Sequence, residues 1–350
     1  MKRTVHLVVG LLIGLALLWF LFRGTSWAEL RTSLRAAQPL WIAAAMVPLV
    51  ASFFARILRW KYIVRAVQPD VSFRALFSAT QIGFLANFVL PARIGELIRA
   101  VVLGRLARMP ASRGLAVVAL DRVTDLVGLL ATIAVAVISF RPRTVEIPAA
   151  LLGTSEDIVV RAEYLHTAEI GVGVFFLLVV GSLIALYTNR DLLLRISDGL
   201  VGLISERLAH RIHNMLDHFA HGLHVLRSPA DMTKSIAFTL VTWACFILSS
   251  AAFCQAFRLD WPWYAPFVLQ LGIAVFISIP GPPGFIGQFQ LAVVASLLMA
   301  VPGIDLADAL ALAIVLHVAN FAWVAILGVF ALYWEGLSLV DLTREGEHVR

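Results

Sequence analysis

Apolar residues run in long stretches separated by short polar segments. Six runs, at about 5–22, 40–58, 114–140, 168–187, 234–256 and 309–334, approach or exceed the length that carries a helix across a hydrocarbon core, about 20 residues. Two further regions, about 73–104 and 264–300, are equally apolar but interrupted. The first breaks at Pro91-Ala92-Arg93-Ile94-Gly95-Glu96, the second at Pro280-Gly281-Pro282-Pro283-Gly284. Each accommodates either two full spans or a re-entrant hairpin that enters and leaves on one side. The pattern predicts an all-α polytopic membrane protein. It has about six transmembrane helices and two re-entrant hairpins in one membrane domain over 1–334, with a short cytoplasmic tail over 335–350.

Composition agrees with the pattern. Only 14% of the 350 residues are charged and 60% are hydrophobic, whereas a soluble domain carries about 25% charge. Disorder, which requires low hydrophobicity and high charge, is excluded as well. The two cysteines, Cys245 and Cys254, share one apolar run and supply neither a disulfide framework nor a four-ligand zinc site. The run after Met1-Lys2-Arg3 is long enough to span. Arg23-Gly24-Thr25-Ser26-Trp27 offers no small-x-small cleavage site, so the run reads as a retained first span.

Charge placement suggests an orientation. With the N-terminus in the cytoplasm and each broken region returning to its own side, 19 basic residues fall in cytoplasmic segments and seven outside. Basic flanks favour the cytoplasm. Both termini are therefore expected there, although fully crossing pairs give the same parity. Arg56 and Arg59 are counted in a cytoplasmic loop, while Arg93 and Arg122 are left inside the membrane.

The broken regions resemble each other. Gln81-Ile82-Gly83 reaches Pro91 ten residues after its glutamine, and Gln270-Leu271-Gly272 reaches Pro280 in the same way. Beyond a three-residue insertion, Pro91-x-x-Ile94-Gly95-Glu96 matches Pro283-x-x-Ile286-Gly287-Gln288. Three spans separate the copies, so they would enter from opposite sides as an inverted repeat. Paired Gly/Pro-interrupted segments in two halves point to a transporter binding site. Pro91, Gly95, Pro280, Gly281, Pro283, Gly284, Gly287 and Gln288 are the residues expected to shape it.

Ionisable residues at bilayer depth are costly and mark candidate function. Arg93, Glu96 and Arg99 follow the first break at spacings of three, and Asp121, Arg122 and Asp125 lie in the run at 114–140. Their charges sum to zero. Three uses are open. They could be ion pairs tying helices together. Arg93, Arg122 and Arg99 could hold an anionic headgroup. Glu96, Asp121 or Asp125 could gate or carry a proton.

Phe88-Val89-Leu90-Pro91-Ala92-Arg93-Ile94-Gly95-Glu96-Leu97-Ile98-Arg99 resembles the PARxGExxR segment of the lysylphosphatidylglycerol synthase transmembrane, or flippase-like, family. Asp121-Arg122-Val123-Thr124-Asp125 resembles its [ED]RxxD segment. Pro283-Gly284-Phe285-Ile286-Gly287-Gln288 resembles its PGGxGxxE segment, with Gln288 in place of the glutamate. The resemblance covers about 5–334. It implies a multi-pass protein of a bacterial or archaeal cytoplasmic membrane that moves a lipid between leaflets. About 16 residues follow the last predicted span, so lysyl transfer is not expected of this chain.

The polar stretch at 188–233 contains His210, His213, His218, His221 and His224. Helical spacing gives it an apolar face and a histidine face, as in an amphipathic interfacial helix. A solvated face, a metal site and a charge switch all fit that pattern. No Walker A, G-x-S-x-G, H-E-x-x-H or C-x-x-C sequence is present. The expected function is movement of an anionic or polyprenyl-linked lipid without catalysis, cofactor, metal or nucleic acid. Its partners would be a phosphate-bearing lipid and a separate lipid-modifying enzyme. An intramembrane enzyme acting on a lipid phosphate and a scaffold for envelope synthesis are the alternatives.

Overall fold

The computed structural model describes residues 2–90, 94–140, 143–147, 158–164, scattered positions between 166 and 206, 228–279, 281–339 and 341–343. Pro91, Arg93 and Pro280, much of the run at 168–187 and the five loop histidines lie outside the described residues.

The protein is all-α and polytopic. An N-terminal helix α1 (Lys2–Phe22) precedes a short helix α2 (Trp27–Ala36). Four long helices follow at intervals: α3 (Pro39–Val64), α6 (Ala111–Ser139), α7 (Pro229–Ala256) and α10 (Leu306–Glu335). They have 26 to 30 residues, so each extends roughly 39–45 Å at about 1.5 Å per residue, more than the roughly 30 Å core. Large apolar side chains such as Val47, Leu248 and Ile326 point outward, as expected where the surroundings are lipid rather than water.

Between the long helices lie the two broken regions, and here the helices are short. The first contains α4 (Phe73–Val89) and α5 (Gly95–Leu106), the second α8 (Ala265–Ser278) and α9 (Gln288–Ala300). At 12 to 17 residues each reaches only about 18–25 Å. A 3-10 turn, Pro283–Phe285, precedes α9. Counting that turn with it, Pro283–Ala300 joins the four long helices as a fifth segment long and apolar enough to cross a membrane among the described residues. Its backbone nevertheless leaves helical geometry at Gly284 (φ 66°) and Gly287 (φ 80°).

Local chemistry explains the ends. Ser72 and Ser228 accept the backbone N–H of Ala75 (3.1 Å) and Asp231 (3.3 Å), starting α4 and α7. Gly336, at φ 62°, terminates α10 in the left-handed conformation. Ser26 and Glu29 form a reciprocal capping box that starts α2, an element absent from the sequence expectation. A small antiparallel pair joins β1 (Val145–Ile147) to β2 (Ile158–Val160), also unanticipated.

The packing is paired. Helix α3 lies along α7; α6 touches α5 and α8; α10 touches α9 and α4. Exchanging α3 with α7, α4 with α8, α5 with α9 and α6 with α10 leaves this set of contacts unchanged. Each hairpin also has its own core. Ile82, Ile98, Val102 and Leu103 belong to one, Leu269, Val293, Leu297 and Leu310 to the other. Leu342, in the expected tail, is fully buried in the first.

The interhelical approach depends on glycine in both hairpins. A Cβ on Gly83 of α4 would stand 2.8 Å from the Arg99 Cβ of α5. A Cβ on Gly272 of α8 would run into the Ser296 hydroxyl of α9.

Candidate functional site

Asp121 and Asp125 are one turn apart on α6 and face the same way. Three arginines converge on Asp121: Arg59 of α3 at 2.6 Å, Arg99 of α5 at 2.6 Å and Arg122 at 3.4 Å. Arg59 also pairs with Asp125. The Arg99 guanidinium lies 3.6 Å from the Trp60 ring centre, a cation–π contact worth about 2 kcal/mol when desolvated. Arg59, Arg99 and Asp121 are buried. They form the floor of the cluster and fasten α3, α5 and α6 together.

Above that floor the groups are accessible. Arg122 reaches Asp125 at 3.2 Å and Glu96 at 3.5 Å. Asn87 of α4 donates to Glu96 Oε1 (3.3 Å) and accepts the Gly95 N–H (2.9 Å), which ties the first break shut. Glu96, Arg122 and Asp125 face a cavity of about 400 Å³. All four long helices, both short helix pairs and the 3-10 turn contribute to its wall. Phe53, Phe84, Leu129, Ile273 and Leu316 make most of that wall apolar, and Ser250, Gln270 and Asn320 supply uncharged polar groups.

Arg56 completes the charged end. Its guanidinium sits 5.2 Å from the Phe84 ring centre and 5.3 Å from that of Phe246, and its Nε is buried without a hydrogen-bond partner. Among the described residues no carboxylate pairs with it. The described cluster therefore holds four arginines (Arg56, Arg59, Arg99, Arg122) against three carboxylates (Glu96, Asp121, Asp125), one cation in surplus.

The second break is held without charge. Gln288 Nε2 donates to the carbonyls of Phe276 and Ile279, the latter at 3.0 Å, joining the start of α9 to the end of α8. Gln290 Oε1 accepts the Gly287 N–H (2.8 Å), and its Nε2 meets His317 Nδ1 (2.7 Å). His317 Nε2 meets the Gly284 carbonyl (2.8 Å), and the ring stacks on Phe289 at 4.7 Å.

The structure brings Glu96, Arg99, Asp121, Arg122 and Asp125 into one cluster, as their spacing suggested. Arg99 and Asp121 lie below the cavity wall and have no open face toward it; Glu96, Arg122 and Asp125 do. Gly281 lies against the Gln288 side chain, and the chain around Pro283 and Gly284 forms the turn. Arg56 and Arg59 do not belong to a loop. Helix α3 continues to Val64 because the carboxylates of α6 compensate Arg59. Asn87, Gln290 and His317 carried no recognisable signal. The cation spacing Arg56-x-x-Arg59, matching one helical face, was a signal left unread.

The chain matches the family described as the lysylphosphatidylglycerol synthase TM region over residues 7–328. It is 26% identical to the glycosyltransferase AglD of Haloferax volcanii over 99% of its own length. It spans only 57% of that relative. It is 24% identical to a UPF0104 membrane protein of Methanothermobacter thermautotrophicus, with 97% of both chains covered.

Proposed function

Because the chain belongs to the lysylphosphatidylglycerol synthase transmembrane family, we propose that it moves an anionic or polyprenyl-linked lipid between the leaflets of a cytoplasmic membrane. One observation carries this reading. A cavity walled by both broken hairpins is apolar over most of its surface, and the arginine at its charged end, Arg56, has no carboxylate in ion-pair contact among the described residues. A desolvated cation without a counter-ion is costly. A lipid phosphate entering beside Arg56 and Arg122 supplies that counter-ion, while acyl or prenyl chain fills the apolar part. Arginine suits the task because its planar fork matches phosphate oxygens.

The two hairpins read as an inverted repeat of re-entrant helices. The pairwise exchange of contacts, the short helices and the glycine crossings support that reading. The returning helices α5 and α9 both begin beside the cavity, where helix N-termini favour negative charge. Glu96 and Asp125 act as the gate. They hold Arg122 between them, and an incoming phosphate competes for it and loosens the hold on the first break. Arg93, expected beside this gate, remains a proposed headgroup ligand on its sequence position alone.

Arg56→Gln and Arg122→Gln test the site. Purified protein in liposomes should move a fluorescent anionic phospholipid, and each variant should lower the rate about tenfold, equivalent to about 1.4 kcal/mol, with unchanged thermal stability for Arg56→Gln. Native rates in both folded variants would remove the headgroup role. The glycosyltransferase name of one relative favours a second reading, chemistry on a lipid phosphate in the same cavity. A chemically altered lipid in the same assay would establish it, and an unaltered lipid on the opposite leaflet would not.

A further inference from the structure

His317 lies at the middle of a directional chain of hydrogen bonds, and the two ends of that chain settle its polarity. A carbonyl can only accept, so His317 Nε2 carries the proton given to Gly284 O (2.8 Å). A backbone N–H can only donate, so Gln290 presents its oxygen to Gly287 N (2.8 Å) and its NH2 to His317 Nδ1 (2.7 Å). The ring is therefore neutral, with Nδ1 as acceptor. The two backbone ends are the glycines that break the second hairpin, both at positive φ. Phe285 between them is also at positive φ (54°), a conformation costing about 1–2 kcal/mol outside glycine. The chain of bonds holds this strained linker in place, and Phe285 within it and Phe289 just after it line the cavity.

A proton on Nδ1 is incompatible with the chain as a whole. Nδ1 would then be a donor facing the Gln290 NH2. Turning the amide to present its oxygen would place the NH2 against the Gly287 N–H. With the amide unturned the His317–Gln290 contact fails, and with it turned the Gly287 contact fails, so one link of the chain breaks in either case and turning the amide releases Gly287. No charged side chain acts on His317 among the described residues. Helices α8 and α9 carry none, α1 from Leu12 to Phe22 carries none, and the acidic residues of α10, Asp308 and Glu335, stand at its ends. Gln290 and the Gly284 carbonyl are its polar partners, Phe289 its stacking partner.

We infer that His317 is a proton-binding site whose occupancy releases the linker of the second hairpin and so couples proton uptake to lipid movement. The coupling half of this inference rests on the transport function proposed above; the linker half does not. Hydrogen exchange of the full chain in nanodiscs, read at the peptide over 282–290 and corrected for intrinsic pH dependence, tests the linker half directly. Protection of the Gly287 amide should fall at least tenfold between pH 8 and pH 5. His317→Gln keeps a donor and an acceptor but takes up no proton, so its protection should be flat across that range. Gln290→Ala should be deprotected at every pH. A flat native profile overturns the inference, as does a native-like pH response in either variant. Lipid movement in liposomes read alongside separates the two claims. A pH-responsive linker without movement removes the transport reading and leaves the proton site. Movement with a flat linker does the reverse.

Discussion

The two hairpins solve one structural problem with different chemistry. Each interrupts a helix inside an apolar bundle, where freed backbone groups have no water to bind and must be satisfied by protein. In the first, the outgoing helix serves the returning one: Asn87 of α4 takes the Gly95 N–H, and the ion cluster of Glu96, Arg99, Asp121 and Arg122 binds α5 to α6. In the second, the returning helix serves the outgoing one: Gln288 of α9 reaches back to two carbonyls at the end of α8, while Gln290 and His317 pin the linker. On the transport reading proposed above, the difference separates tasks. The charged hairpin has the groups to bind an anion, and its buried floor makes it rigid. The neutral hairpin is held by amide and imidazole bonds, each worth about 0.5–1.5 kcal/mol net, and is the one suited to move.

The largest break in that comparison should come from Asp121→Ala. It leaves Arg59 and Arg99 buried without their shared carboxylate, and removing one partner of a buried ion pair costs about 3–5 kcal/mol. Thermal unfolding in detergent, followed by tryptophan fluorescence, should show a protein barely folded or not recovered. Gln290→Ala in the second hairpin should cost only about 1–3 kcal/mol, the penalty of a neutral group left unsatisfied. Equal losses in the two variants would show that the ionic floor is no stronger a fastening than the amide chain.

Gln288→Glu comes next. The position matching Glu96 carries an amide because its neighbours are acceptors. A carboxylate there would face the Phe276 and Ile279 carbonyls with no hydrogen to give. The variant should lose about 1–3 kcal/mol at neutral pH in the same unfolding assay. A Gln288→Glu protein as stable as the native chain would mean that the second hairpin accepts the charged chemistry of the first.

Much of this was legible in the chain. Unbroken apolar runs gave the long helices, since hydrocarbon thickness translates directly into residue count. Pro and Gly punctuation located both breaks, and the i,i+4 spacing of Asp121 and Asp125 put both on one face. What stayed hidden depends on contacts distant in sequence. Arg59 reads as a loop cation until α6 is brought against it. Asn87, Gln290 and His317 look like ordinary polar residues in apolar helices until the backbone groups they satisfy are located. Helix α2 was readable, because Ser26-x-x-Glu29 is a capping box, but the long apolar runs on either side drew the segment into a loop.

The smallest predicted effect tests the glycine crossings, where the hairpins look most alike. Replacing glycine by alanine inside a helix gains about 1 kcal/mol of propensity, and crowding opposes it. At Gly83 the new methyl meets the Arg99 Cβ at 2.8 Å and the Gly95 carbonyl at 3.0 Å. Arg99 cannot retreat, because Asp121 and Trp60 hold its guanidinium. Overpacking of that kind costs about 1–3 kcal/mol, so Gly83→Ala should be destabilising overall. At Gly272 the obstacle is the Ser296 hydroxyl, which can rotate away at the expense of its bond to the Ala292 carbonyl (2.7 Å). That loss of about 0.5–1.5 kcal/mol nearly cancels the propensity gain, leaving Gly272→Ala within about 0.5 kcal/mol of the native chain. Paired unfolding curves should therefore separate the two alanines. If they fall together, the first hairpin has more give than its arginine fastening allows.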